Sequence, residues 1–172
     1  MVELLTLIHS HGSVPSAVAP GGYRLRPCRA DDIEQLGRLY FDCYDPGQAC
    51  SDLPEAVADI RAAFAGDYGP LWPAASPVAT ALDGQVVAAI LVVDNAPWPD
   101  TPDCPFAIEL FTARAHRRQG LARSLVLGAL TVIADTGPPH LALRVSPDNH
   151  AALTLYHVLG FRNWTGDTLE YA

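Results

Sequence analysis

From Ile33 onward the apolar positions fall at Ile33, Leu36, Leu39 and Tyr40, the spacing of one helical face, with Asp31 or Asp32 suited to the first turn. The pattern predicts a helix there and a second over Leu53 to Ala65, with Asp52 as N-cap, Pro54 in the first turn and Gly66 past the end. Ahead of them "YRLRP", Tyr23 to Pro27, alternates as a strand does. Between Pro77 and Val93 two apolar runs flank Asp83-Gly84, a strong hairpin signal. A strand is predicted over Phe106 to Thr112 and a helix over Gly120 to Ala134, with Leu121, Leu125, Gly128 and Val132 on one face. "HLALRV" follows as a strand, "DNHAALTLYHVLG" as a short helix, and "FRNW" with "TLEY" as a terminal hairpin. Residues 1–22, which end in small residues, Pro and Gly, read as an N-terminal arm or leader before a domain spanning 23–172. Strands mixed with helices in a chain of this length indicate one α/β (α+β) domain.

Composition narrows the chemistry. All 11 basic residues among the 172 are arginine, which excludes a P-loop lysine and a lysine Schiff base. A net charge of −8 argues against general binding to nucleic acid and favours a cationic partner. Four cysteines without a CxxC spacing read as reduced thiols in a cytoplasmic protein. The apolar "MVELLTLIHS" is too short to span a bilayer and carries Glu3 where a signal peptide would be basic, so neither membrane insertion nor export is expected.

Against that acidic background, Arg114, Arg117, Arg118 and Arg123 fall within ten residues, in and around "HRRQGLAR" at the start of a helix. The first turn of a helix exposes unpaired N–H groups and carries about half a positive charge. Gly120 and Ala122 allow a phosphate close to the backbone, and the arginines add charge-assisted hydrogen bonds. The stretch reads either as a pyrophosphate site or as a solvated, arginine-rich turn. There is no GxGxxG alternative.

Further along, Asn149, Ala152 and Tyr156 share one face of the last helix. Tyr156 is either a core residue with its hydroxyl at the rim or a proton donor, and either Asn149 or Asp148 can serve as N-cap.

The order strand, "RRQGLA", helix, strand, "N..A..LY...GF" resembles the GNAT (GCN5-related) N-acetyltransferase superfamily over about Tyr23 to Tyr171, with Arg117, Gly120 and Ala122 on the family's phosphate motif. "TARAH" departs from the family's usual turn before the motif arginine, leaving the start of the phosphate loop open. The resemblance implies a mixed, mostly antiparallel sheet splayed between two parallel strands, here Phe106 to Thr112 and His140 to Val145, with helices on both faces. It implies acetyl-CoA as cosubstrate, with Leu110, Phe111 and Thr112 pairing with the pantetheine arm. Backbone groups of Arg117, Arg118, Gln119, Gly120, Leu121, Ala122 and Arg123 would hold the pyrophosphate. Asn149 would contact the cofactor, and Tyr156 would direct its hydroxyl at the sulfur. A homodimer is also compatible with the family.

Amine attack on a thioester develops an oxyanion and expels a thiolate, so a tyrosine proton donor and a carboxylate base make chemical sense. Glu109, the one acidic residue of the motif strand, and Asp94, at the end of the strand before it, are the candidate bases. For the acceptor, Asp42 and Asp45 (with Asp52 and Glu55 nearby) are read either as carboxylates holding a cationic amine or as caps and solvated charges. Trp98 is a candidate pocket wall. His9 and His11 are two ligands without a third, and no metal is expected. The expectation is an N-acetyltransferase acting on a primary amine of a small molecule, peptide or protein. The alternatives are a non-catalytic CoA-binding module and an interaction protein that binds no CoA.

Overall fold

A computed structural model describes residues 3–10, 12–138 and 140–166. In chain order the strands are β1 (Leu5–Ser10), β2 (Tyr23–Pro27), β3 (Pro77–Ala81), β4 (Val86–Val93), β5 (Phe106–Thr112), β6 (His140–Val145) and β7 (Arg162–Asn163). The helices are α1 (Ile33–Cys43), α2 (Leu53–Ala65), α3 (Leu121–Thr136) and α4 (His150–Val158). The strands form one seven-stranded sheet in the order β2-β3-β4-β5-β6-β1-β7. This is the mixed α/β architecture the sequence implies.

Local signals act as read for α2. The Asp52 carboxylate accepts the Glu55 N–H at 2.8 Å, and Gly66 ends the helix at φ 90°, where a side chain would be strained. Strand β4 is buried at every position because it runs through the middle of the sheet between two helical layers. On one face, Leu36, Leu39 and Tyr40 of α1 and Ile60 of α2 pack on Val78, Ala89, Leu91 and Phe111. On the other, Leu121, Leu125 and Ile133 of α3 pack with Ala88, Ile90, Val92 and Leu141, and Tyr156 of α4 joins that cluster. Asp32 is not a solvated first-turn charge: both its oxygens receive the Arg26 guanidinium at 2.8 Å.

The reading of the N-terminal end is corrected in part. Residues 5–10 are not an arm outside the domain, because β1 pairs antiparallel with β6 along its whole length, from Leu5↔Val145 to Ser10↔His140. Its partner lies some 130 residues away in sequence, so no local pattern announces it. The following segment crosses α3, where the Ser124 hydroxyl donates to the Val18 carbonyl at 2.8 Å. At the other end, Arg162 and Asn163 pair with Ile8 and Leu7 of β1, while "TLEY" lies outside the described residues.

Two irregularities shape the middle of the sheet. Among the described strands only β5 and β6 run parallel, and they pair at just Phe106↔Ala142 and Ala107↔Leu143, so the strands separate beyond Ala107. Opposite, the β4–β5 register steps from Leu91↔Glu109 to Val92↔Ala107, which leaves Ile108 as the extra residue of a bulge. The bulge puts Ile108 and Glu109 on the same side of the sheet, toward α2, with Ala107 and Leu110 on the α3 side.

Candidate active site

The separation of β5 from β6 opens a cleft of about 630 Å³. Its walls are the far half of β5 (Leu110, Phe111, Thr112), the loop into α3, the first turn of α3, and the Asn149, Ala152 and Tyr156 face of α4. The end of α1 closes one side with Cys43 and Tyr44.

The loop into α3 is built for an anion. Arg118 has φ 59° and Gly120 φ 81°, two left-handed residues with Gln119 between them, and this brings successive N–H groups to one concave side. Ser124 donates the first helical hydrogen bond, to the Gly120 carbonyl. Among the described residues the amides from Arg118 to Arg123 have no backbone acceptor, so an incoming phosphate would meet them free. Arg118, Gly120, Leu121, Ala122 and Arg123 all line the cleft.

Three residues of the expected cofactor set behave differently. Arg117 lines the cleft, but its guanidinium is turned to the protein, Nη2 donating to the Cys43 carbonyl at 2.9 Å and Nε to the Thr112 carbonyl at 3.2 Å. Gln119 is exposed on the loop and is not among the cleft-lining residues. Asn149 is the N-cap of α4, its side-chain oxygen accepting the Ala152 N–H at 3.1 Å.

Where the cleft meets the sheet, Tyr156 is buried on α4, its ring against Phe161, and its hydroxyl has no protein partner among the described residues. Burial, and then the nearby Glu109 carboxyl, push its pKa up to about 12. Glu109 itself is pushed up to about 8, chiefly by burial and then by the Asp59 charge. Tyr44 is likewise raised by burial and then by Glu109. Glu109 is therefore electrostatically coupled to a phenol in the cleft on one side of it and to α2 on the other.

Glu109 lines a second, smaller cavity of about 140 Å³ with Asp59, Ile60, Ala63, Tyr68, Trp98 and Ile108. The Tyr68 hydroxyl donates to Asp59, and the Tyr68 ring stacks on Trp98 at 6.4 Å between centroids. Asp59 and Tyr68 escaped the sequence reading. The available signal was an acid beside the apolar stripe Ala56, Ile60 and Ala63 of α2, a position that in the fold faces Ile108 and Glu109 of β5.

The other expected carboxylates do not converge here. Asp94 is exposed at the end of β4 next to Phe106, the opposite end of β5 from Thr112. Asp45 is exposed and paired with Arg114 at 2.8 Å, and the same arginine also donates to the Asp42 backbone carbonyl. Arg114 thus braces the end of α1 and the loop after it, through the Asp45 carboxylate and the Asp42 main chain. Among the described residues no group of three or more His, Cys, Asp or Glu could hold a metal ion, and His11 lies outside them. The four cysteines are buried free thiols. No described helix is long and apolar enough to cross a membrane.

A sheet split between two parallel strands, with a helix N-terminus at the mouth of the split, is the architecture that the resemblance to the GNAT superfamily implies. The chain matches the model of the Acetyltransferase (GNAT) family over residues 34–161 and belongs to that family. A mycothiol acetyltransferase of Nocardiopsis dassonvillei is 34% identical over 158 residues, which cover 85% of this chain and 44% of that protein. Among solved structures, a GCN5-related N-acetyltransferase from Sphaerobacter thermophilus superposes with a TM-score of 0.72 at 16% identity, covering 94% of this chain and 48% of that one. AAC(6')-Iy, solved with the bisubstrate analogue CoA-S-monomethyl-acetylneamine, superposes with a TM-score of 0.61 at 20% identity, over 87% of this chain and 97% of that one. At those identities the two structures show a shared fold. The chain spans less than half the length of the mycothiol acetyltransferase.

Proposed function

We propose that this chain transfers an acetyl group from acetyl-CoA to a primary amine, with Tyr156 as general acid and Glu109 as general base. One observation carries the reading: a buried tyrosine without a protein partner lines the cleft, and its phenol feels the half-buried Glu109 carboxyl, whose own pKa is raised and which lines the smaller cavity toward α2. The free amides of residues 118–123 at the other end of the same cleft fit a pyrophosphate, and the strand-free edge of β5 beyond Ala107 fits an amide-bearing arm. Support also comes from a bisubstrate analogue of CoA bound to a protein of the same fold.

When bound, acetyl-CoA supplies an activated thioester. The residues of the chain supply proton management around it. Glu109 takes a proton from the amine, directly or through one water, and a pKa near 8 suits that task at slightly alkaline pH. Tyr156 delivers a proton to the departing sulfur and regains one from solvent through the cleft. The phenol stays protonated below about pH 12, so it is always available as a donor. Arg118 and Arg123 add positive charge at the phosphate end, while Arg117 holds the wall of the cleft in place.

Thermal shift with acetyl-CoA, CoA and ATP in parallel, followed by thiol release with a panel of amines, tests the reading. Stabilisation by both CoA species together with amine-dependent thiol release is expected. Stabilisation without thiol release from any amine would leave a CoA-binding module, and no stabilisation would remove the cofactor site.

A further inference from the structure

Asp59 and Glu109 face one cavity of about 140 Å³, and no basic residue serves either of them among the described residues. The described ion pairs are Arg26–Asp32, Arg61–Glu34, Arg114–Asp45 and Arg144–Asp100. Arg61, two residues from Asp59 on α2, reaches away to Glu34. Arg144 stands over the Trp98 ring, 5.7 Å from its centroid, but gives its charge to Asp100. The two carboxyls that share the cavity thus repel each other, and part of the rise at Glu109 comes from Asp59. Neighbouring acids kept in one place without a cation are costly for the free protein. A bound cation would remove that cost.

The rest of the lining says what kind of cation. Ile60, Ala63 and Ile108 offer an apolar floor, and the stacked Tyr68 and Trp98 offer an aromatic wall. Such a surface suits methylene groups beside an organic ammonium better than a hydrated metal ion. The volume corresponds to roughly four or five waters at about 30 Å³ each, enough for a short aliphatic chain. Tyr68 fixes Asp59 by donating to it, and this hydrogen bond is the first cause of a Tyr68 pKa pushed up to about 12. Asp59 is thereby fixed at one side of the cavity, with Glu109 at the other.

From this arrangement we infer that the acceptor is a dication: a short aliphatic amine bearing a second ammonium, which Asp59 and Tyr68 hold while the reacting nitrogen meets Glu109. The inference rests on the acyl-transfer reading for the role of Glu109, and it deepens that reading by assigning the substrate class and adding Asp59 as the residue that selects it. Binding of the dication also lowers the cost of ionising Glu109, so recognition of the second charge prepares the base.

Isothermal titration separates this from its rivals, with 1,3-diaminopropane and n-propylamine as probes at pH 7.5. The wild-type protein is expected to bind the diamine at least about tenfold more tightly, a difference of about 1.4 kcal/mol. Asp59→Asn, which keeps a partner for Tyr68, is expected to bring the two amines within about threefold while retaining the thermal shift with acetyl-CoA. Equal wild-type affinities, or an unchanged preference in Asp59→Asn, would overturn the inference. If that variant does not melt cooperatively, the wild-type ratio decides alone, and a value below threefold overturns it. A diamine preference without thiol release would leave the cavity as a dication-binding site, but would remove the transferase reading and with it the acceptor role. Thiol release indifferent to the second charge would do the reverse.

Discussion

Arg117 ties the end of α1 to the sheet: its guanidinium donates to the Cys43 carbonyl at 2.9 Å, and the same side chain reaches Thr112 on β5. The arginine that sequence assigns to phosphate is thereby a brace. Arg117→Ala should lower the melting temperature by a few degrees, since each hydrogen bond from a charged donor contributes on the order of 1.5 kcal/mol. Arg118→Ala should leave the melting temperature close to wild type and weaken acetyl-CoA about three- to tenfold. Differential scanning calorimetry and titration on both variants check the division, and the opposite pattern would refute it.

Tyr156→Phe should lower kcat by about a hundredfold with little change in the KM for acetyl-CoA, because only a proton needed in the transition state is lost. Steady-state kinetics decide this, and an unchanged kcat would remove Tyr156 as the acid.

Glu109 predicts two pH effects of opposite sense. Activity, kcat/KM for the amine, should rise with pH along a limb with an apparent pKa near 8, and Glu109→Gln should abolish that limb. Stability should move the other way. The folded protein holds the Glu109 proton more tightly than the unfolded chain, so this group's contribution is full below about pH 4.5 and is lost as pH rises toward 8. Glu109→Gln has no charge to bury. Its melting temperature relative to wild type should therefore climb between pH 5 and pH 8, and a constant difference would count against a raised Glu109.

At the other end of the scale, Asp32 contributes at neutral pH. Burial alone would raise its pKa, but the Arg26 hydrogen bonds and the Arg29 amide outweigh burial and hold it below the usual range. Its stabilisation is present above the unfolded value and is lost as pH falls through the folded one. Asp32→Asn should cost about 1–3 kcal/mol at pH 7, and the cost should shrink in acid, measured by urea unfolding at pH 7 and pH 3.

Gly37 gives a packing test. Alanine ordinarily stabilises the middle of a helix by about 1 kcal/mol relative to glycine. Here a Cβ at Gly37 would lie 2.6 Å from the Val57 Cα, so α1 and α2 would have to separate. Gly37→Ala should destabilise by about 1–3 kcal/mol in a thermal melt, because the neighbour is backbone and cannot swing aside.

Much of this protein was settled by local sequence. Caps such as Asp52 and Gly66, the Asp83-Gly84 turn and the apolar period of α1 and α2 act over a few residues, so the elements between Tyr23 and Val158 could be read directly. The cleft residues of "RRQGLA" and Tyr156 were legible for the same reason: a helix start and a helix face are local geometry. What a side chain does after folding is decided at long range. Leu5–Ser10 became a strand through a partner some 130 residues away, Arg117 became a brace through the end of α1, and Asp45 was claimed by Arg114. Alternation along β5 sets Glu109 opposite Leu110, but that Asp59 of α2 meets it there is encoded by no spacing along either segment. Local hydrogen bonds and periodicity determined the elements, whereas the charges that meet in the site depend on which surfaces the packed sheet brings together.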